Sequence, residues 1–542
     1  MNNIDPMGNL WYKNAIIYSL DIETFDDSDG DGTGDFTGLI SRLDYIADLG
    51  ISCIWLLPFF PSPNRDNGYD VMDYYAIDQS HGTMDGFMAF MDKANEYNIR
   101  VIIDLVVNHT SIEHLWFQEA RKDINSKYRD YYVWSYEPQD HKEEHLIFPE
   151  EEDTIWTYDK EAGQYYLHHF YREQPDLNIA NLEVRKEILK VMGFWLDRGI
   201  SGFRVDAAEL LIEPYGIPKV DNEDLSNFLD EMRDFITAKK HDAILVAEAN
   251  VPPDKTGVYL DQGERMHVIF NFFLNQHLFL ALARENATPL YSALKALREI
   301  ADSHQWLNFL RHHDELNLDL LNSNEQQDIH RRFAPDQNMR IFKTGIRRRL
   351  APMLDGNTKM LKLAYSLLFS LPGTPMLRYG DEIGMGENLA LNGRNSVRTP
   401  MQWSDEKNGG FSSSENKLTH PVISEGLYGF DKVNVEAAEN NPDSLLQWLK
   451  NLIAVRQRFP EIGNRKVELI QTKNPKVFIH SFQCESQKIV FVHNLSGKKL
   501  QIPFKSINLN FNSAAVSFGD EHALMQENEL CLHSYGFAWM TL

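Results

Sequence analysis

"VIIDLVVNHTS", Val101 to Ser111, is an apolar run with one carboxylate inside it and Asn108 and His109 at its end. A strand with one wet face alternates polar and apolar residues; this one does not, so both its faces are covered, as in a parallel sheet flanked by helices. The same pattern recurs in "SCIWLLP" (52–58), "ISGFRVDA" (200–207), "AILVAEAN" (243–250) and "LNFLRHHD" (307–314). Helical segments separate these runs. In "EVRKEILKVMGFWLDRG" (183–199), Val184, Ile188, Met192 and Trp195 share one face, and Gly199 stands where a C-terminal cap is expected. Repeated βα units leave a doubly wound open sheet or a closed eightfold barrel. No glycine-rich phosphate fingerprint follows the first strand, so the expected fold is α/β, a (β/α)8 TIM barrel.

A barrel of this kind takes about 250 residues, and the chain has 542. From His109 to Asp176 the βα rhythm stops and aromatics accumulate (Trp116, Trp134, Trp156, Tyr165, Tyr166, Tyr171), which predicts an insertion domain over 109–176 after the third strand. These rings are expected mostly to pack the insertion's own loops, with one or two free to stack on the flat apolar face of a ligand. From Asn464 the segments "KVFIHSF", "KIVFVHNLSG" and "SYGFAWMTL" predict a C-terminal antiparallel, sandwich-like β domain over 464–542. The barrel is left with 1–108 and 177–463.

A net charge of −26 argues against nucleic acid or an anionic membrane as partner. No apolar run approaches membrane-spanning length, the start lacks the features of a secretory signal, and three scattered cysteines make neither a disulfide framework nor a zinc site, so a cytoplasmic location is expected. The arginine runs 331–332 and 347–349 then read as local ion-pair networks or a subunit contact, which leaves a homo-oligomer open. "HKEEH" (141–145) fits a zinc-protease motif, but no amphipathic helix surrounds it to present both histidines together, and it is read as a chance match.

Asp104, Asp206, Glu248 and Asp314 sit in or just after apolar runs. In a parallel barrel all strand C-termini open on one face, so these acids converge, with Arg204, His109 and His313 beside them to offset the charge. Carboxyls in unlike environments divide into an ionised one and a protonated one, as glycosidic cleavage requires.

"DLVVNHTS", "GFRVDAA", "VAEAN" and "FLRHHDEL" resemble the four conserved regions of the alpha-amylase family, glycoside hydrolase family 13. "QPDLN" (174–178) resembles the fifth region of its oligo-1,6-glucosidase branch. Within that branch the likeness is to the trehalose synthase group, through "WLLPFFPSPNRDNGYDVMDY", "GIRRRLAPML", "GTPMLRYGDEIGMG", "VRTPMQWS" and "YGFDKVNVEA". The resemblance implies a retaining α-glucosyl transfer with Asp206 as nucleophile, Glu248 as general acid/base and Asp314 as transition-state stabiliser. It implies sugar binding by Asp66, Tyr69, His109, Gln174, Arg204, His313 and Arg398, with Asp104 in a supporting role. The implied substrates are small α-glucosides (maltose, trehalose, sucrose), and the implied reaction is the isomerisation of maltose and trehalose. An α-glucosidase or sucrose hydrolase of the same fold is the first alternative, and a non-catalytic sugar-binding protein the second.

"DSDGDGTGD" (27–35) begins like an EF-hand, but its twelfth position is Gly38 where that loop needs glutamate. The family resemblance implies instead a structural calcium loop, with Asp27, Asp29, Asp31 and Asp35 as side-chain ligands and Thr33 through its carbonyl. It also implies a second metal site from Asn108, Asp176 and Glu213, and no organic cofactor. Three departures from the trehalose synthase pattern lie near the expected sugar rim: His312 for asparagine, "AAELLIE" after the nucleophile, and Asn395–Ser396 before "VRTP". Ala207, where α-1,6-specific relatives carry valine, points to α-1,4 or similar linkages.

Overall fold

A computed structural model describes residues 8–138, 146–148, 150–212, 222–260, 265–484, 487–506, 515–519, 524–526 and 529–542. Eight parallel strands close a barrel: β1 (Ile17–Leu20), β2 (Cys53–Leu56), β3 (Arg100–Leu105), β4 (Gly202–Val205), β5 (Ile244–Ala247), β6 (Val268–Phe270), β7 (Gln305–Phe309) and β8 (Thr374–Arg378). Each pairs with its sequence neighbours, and β8 pairs back onto β1, Ile17 opposite Met376. The helix predicted over 183–199 runs Leu182–Leu196, capped by the Asn181 side chain on the Glu183 amide. Its four face residues are all buried, and Gly199 follows with φ +97°.

Side chains alternate across a strand, and here one parity fills the barrel. Ile17, Trp55, Ile102, Val246, Phe270, Phe309 and Met376 form a single buried plug. Two residues further toward the C-terminal mouth the same inward positions become charged, Ile102 giving way to Asp104 and Val246 to Glu248, with Arg204 paired in register with Asp104. The outward parity (Ile103, Leu105, Phe203, Val205, Leu245) belongs to the larger core under the helices.

The chain between β3 and β4 carries a three-stranded antiparallel sheet (Trp134–Ser135, Gln164–Leu167, Trp156–Asp159) over its own small core of Val133, Ile155, Trp156 and Leu167. Isolated bridges His109–Asp176 and Tyr132–Leu177 pinch its ends together at the barrel mouth. Beyond β8, strands from Glu468 onward form a five-stranded and a three-stranded antiparallel sheet with a shared core that includes Ile479, Val492, Ile502, Leu530 and Met540. The far face of the larger sheet docks on the barrel through polar contacts as well: Trp539 Nε1 donates to Ser366 Oγ at 2.9 Å, and His480 Nε2 bonds the Ser370 carbonyl at 2.8 Å. Among the described residues no helix is long and apolar enough to cross a membrane.

Candidate active site

Arg204 organises the mouth. Its Nη1 lies 2.5 Å from both Asp104 Oδ1 and Asp206 Oδ1, and its Nη2 lies 2.7 Å from Glu248 Oε1. One guanidinium thus bridges the two predicted reactive carboxyls, and a planar fork of donors fixes their relative orientation. Trp55 Nε1 holds the other oxygen of Asp104 at 2.8 Å, so this carboxylate is fixed between the indole and Arg204. Glu248 is oriented a second time, because Ala207 donates its N–H to Oε2 at 3.1 Å. Ala207 has φ +44°, a conformation that a β-branched side chain tolerates worse than alanine. Two buried carboxylates, Asp104 and Asp206, and the partly exposed Glu248 share one cation, and the excess negative charge favours retention of a proton. Burial pushes Glu248 up to about 7, with Asp206 and Asp314 adding to the push and Arg204 opposing it. Burial also raises Asp206, against the pull of Arg204.

Asp314 is the contrasting acid. Burial works to raise it but is outweighed by Arg394, His313 and Arg398, which hold it well below the usual carboxylate range. Arg398 Nη2 reaches Asp314 Oδ1 at 2.6 Å, Arg394 Nη1 the same oxygen at 3.1 Å, and His313 Nε2 sits 3.0 Å from Oδ2. His313 is itself lowered to about 3 by burial, so its contact with Asp314 is a hydrogen bond from a neutral ring. The Tyr69 ring lies parallel to that imidazole, centroids 5.5 Å apart, with its hydroxyl 2.9 Å from Nε2. Asp66 accepts from Gln174 Nε2 at 3.0 Å, so Gln174 positions a neighbour. His109 is held at the mouth by its own partners, Nε2 lying 3.1 Å from the Tyr69 carbonyl and Nδ1 3.3 Å from Asn108 Nδ2.

A cavity of about 540 Å³ opens on this cluster, lined at its inner end by Ala207, Glu248, His312, Asp314 and Arg394. That volume is in the range of small-molecule sites. Asp206 sits just behind the wall, 6% exposed. Arg394 was not singled out by the sequence reading, although it stands four residues before Arg398 in the same loop. Glu209 was also missed; it lines the cavity and burial pushes it up to about 7. Of the departures, His312 meets the cavity with both ring nitrogens buried and without protein hydrogen bonds among the described residues, while Ser396 turns away to the Arg347 carbonyl at 3.0 Å.

The model of the alpha-amylase catalytic domain matches residues 19–464, which takes in the end of β1, the other seven barrel strands and every group just described. The chain belongs to the alpha-amylase family. It is 43% identical over 493 residues to a trehalose synthase of Thermus thermophilus, covering 90% of this chain and 51% of that one, so it spans about half the length of that relative. It is 41% identical to a trehalose synthase of Pimelobacter sp., covering 90% of this chain and 87% of the relative. An alpha-amylase structure from H. orenii superposes with a TM-score of 0.79 at 27% identity, covering 98% of this chain and 99% of that one.

Two further features of this alpha-amylase family member concern metals. Carboxylate oxygens of Asp27, Asp29 and Asp35 lie within 4.8 Å of one another, a hard-oxygen set that fits calcium. Asp31 stands outside the group, its Oδ1 accepting from the Thr33 amide at 2.8 Å. At the second predicted site Asn108 and Asp176 do meet, at 3.2 Å, but the Asp176 carboxylate also bonds His169, and Glu213 lies outside the described residues. His141–His145 lies outside them too. The arginine runs are locally satisfied: Arg348 pairs with Glu387 at 2.8 Å, Arg349 with Asp381 at 3.2 Å and Arg332 with Asp355 at 2.9 Å.

Proposed function

We propose that this chain is a retaining α-glucosyl-transferring enzyme that interconverts maltose and trehalose, with some hydrolysis. The carrying observation is the Arg204 fork, which keeps Asp206 and Glu248 on one cation while their surroundings differ. Retaining glycosidases need their two carboxyls about 5–5.5 Å apart, and a shared guanidinium favours that closeness over the wider gap of an inverting pair. Asp206 attacks the anomeric carbon, and protonated Glu248 gives its proton to the departing glycosidic oxygen. The glucose released turns within the cavity, Glu248 takes the proton from its anomeric hydroxyl, and that oxygen displaces Asp206 by attack from the opposite face, the one the leaving sugar vacated. Asp314, held ionised by Arg394 and Arg398, stabilises the positive charge that develops on the ring in both transition states. The relatives named trehalose synthase support the choice of sugars. Three free, buried cysteines, Cys53, Cys484 and Cys531, are in keeping with a reducing cytoplasm.

Incubation with maltose, and separately with sucrose, followed by chromatography of the products is the test. Trehalose accumulating from maltose with a minor glucose fraction is expected; glucose alone from either sugar would make the chain a hydrolase.

We also propose that Asp27, Asp29 and Asp35 hold a structural calcium ion that fastens the loop after β1. Ser412 Oγ bonds Asp27, and Thr33 Oγ1 lies 2.8 Å from Thr419 Oγ1, so the loop is stitched to the segment past residue 400. Removing calcium with a chelator is expected to lower the melting temperature by about 2–5 °C, restored by calcium and not by potassium, as for any ligand bound only by the native state. An unchanged melt after chelation would refute the site.

A further inference from the structure

The cavity's outer wall joins two parts of the chain almost two hundred residues apart. From the insertion come Leu146 and Ile147; from the barrel side comes the hairpin Arg340–Ile346, which contributes Phe342, Lys343, Thr344 and Gly345. At the hairpin tip Phe342 and Lys343 have φ of +51° and +65°. Consecutive non-glycine residues in this region are costly, and they persist only where the surroundings hold them. What holds them is Glu150: Phe342 donates its N–H to Oε2 at 3.0 Å and Lys343 donates to Oε1 at 3.1 Å. Successive amides converging on one anion form a nest, and here the anion is a side chain of the facing insertion.

Below this contact is an aromatic stack. Phe148 lies on Phe342, centroids 4.7 Å apart, and on Tyr171 at 4.6 Å. The Arg394 guanidinium sits 4.9 Å from the Phe148 ring centre and 5.4 Å from that of Phe342. The same guanidinium bonds Asp314 and Glu315. The clasp therefore closes the cavity on the side where the departing sugar must wait, and it bears on Asp314 through one residue.

We propose that Glu150, through the Phe342–Lys343 amides, determines whether the glucosyl group passes to the retained glucose or to water. This rests on the isomerase reading above. Loosening the clasp admits water and lets glucose escape, while Asp206, Glu248 and their Arg204 fork are untouched. Glu150→Gln keeps the size but presents one acceptor and an NH2 group to two N–H donors; Phe342→Leu keeps apolar volume but removes the stack. In each variant the glucose-to-trehalose ratio from maltose is expected to rise about fivefold, the consequence of losing the charge-assisted bonds at the exposed hairpin tip or the ring stack beneath them. For Glu150→Gln, total maltose consumption and fluoride release from α-glucosyl fluoride should stay within about twofold, since that exposed carboxylate bonds the hairpin amides and takes no part in the first chemical step. Glu151→Gln, at the exposed neighbouring position, should change nothing.

If wild type makes trehalose and both variants keep its product ratio, the inference is wrong and the isomerase reading stands. Should both variants instead lose maltose consumption and fluoride release alike, Glu150 and Phe342 serve folding or the chemistry itself, and the inference again fails. A wild type that yields glucose alone overturns the isomerase reading and this inference with it.

Discussion

Asp206→Asn is expected to reduce turnover of maltose, trehalose and sucrose by at least about 10⁴-fold, the scale of losing a covalent nucleophile. An amide oxygen still accepts from Arg204 Nη1, so the 2.5 Å contact that fixes the side chain survives. What is lost is the anionic oxygen that must bond the anomeric carbon. The variant should nonetheless fold, because Asp206 lies among like charges: Asp314 and Asp66 both raise its carboxyl. Removing one negative charge from around Arg204 relieves that repulsion, so the melting temperature should be equal to wild type or higher. Residual turnover above about one part in a thousand, in a preparation free of wild type, would reject the nucleophile assignment. A collapsed melt would show that the charge balance at Arg204 is a folding requirement as well.

Much of this arrangement is legible in the chain because the barrel converts strand parity into position. Runs such as "VIIDLVV" and "GFRVDAA" announce a strand covered on both faces, and the inward parity carries straight from Ile102 to Asp104 and from Val246 to Glu248. The clustering of Asp27, Asp29 and Asp35 is legible because these carboxylates are local in sequence. Two barrel strands carried no such signal: β6 is three residues long, and β8 contains Pro375, which argues against a strand by residue type alone. Contacts that depend on the insertion folding back were equally hidden. Nothing near Glu150 indicates that its carboxylate meets the amides of residues 342 and 343, and nothing near Arg394 indicates two aromatic faces supplied by Phe148 and Phe342. The motif marks His109, but not the contacts with Tyr69 and Asn108 that fix its ring at the mouth.

Glu248 carries the second large expected effect, and its sign can be worked through leaving-group chemistry. Glu248→Gln should cost about 10²–10⁴-fold on maltose, the range for removing a positioned general acid. With α-glucosyl fluoride the cost of the first step should nearly vanish, since fluoride departs without a proton. The second step still lacks its base, so a burst of fluoride followed by slow turnover is expected. Azide, which needs no base, should rescue the second step and give α-glucosyl azide, because attack on the β-linked intermediate inverts it a second time. β-Glucosyl azide would exclude the double displacement, and an absent burst would show that the first step still limits turnover and that Glu248 does more than protonate the leaving group. In wild type the acid must be protonated: with Glu248 pushed up to about 7, kcat/KM on maltose holds below that pH and falls as pH rises through it. Glu248→Gln acting on the fluoride should show no such alkaline fall, because the group responsible for it has been removed. An alkaline limb that persists in the variant would place the titrating acid elsewhere, with Glu209, also raised to about 7 by burial and lining the same cavity, the next residue to substitute.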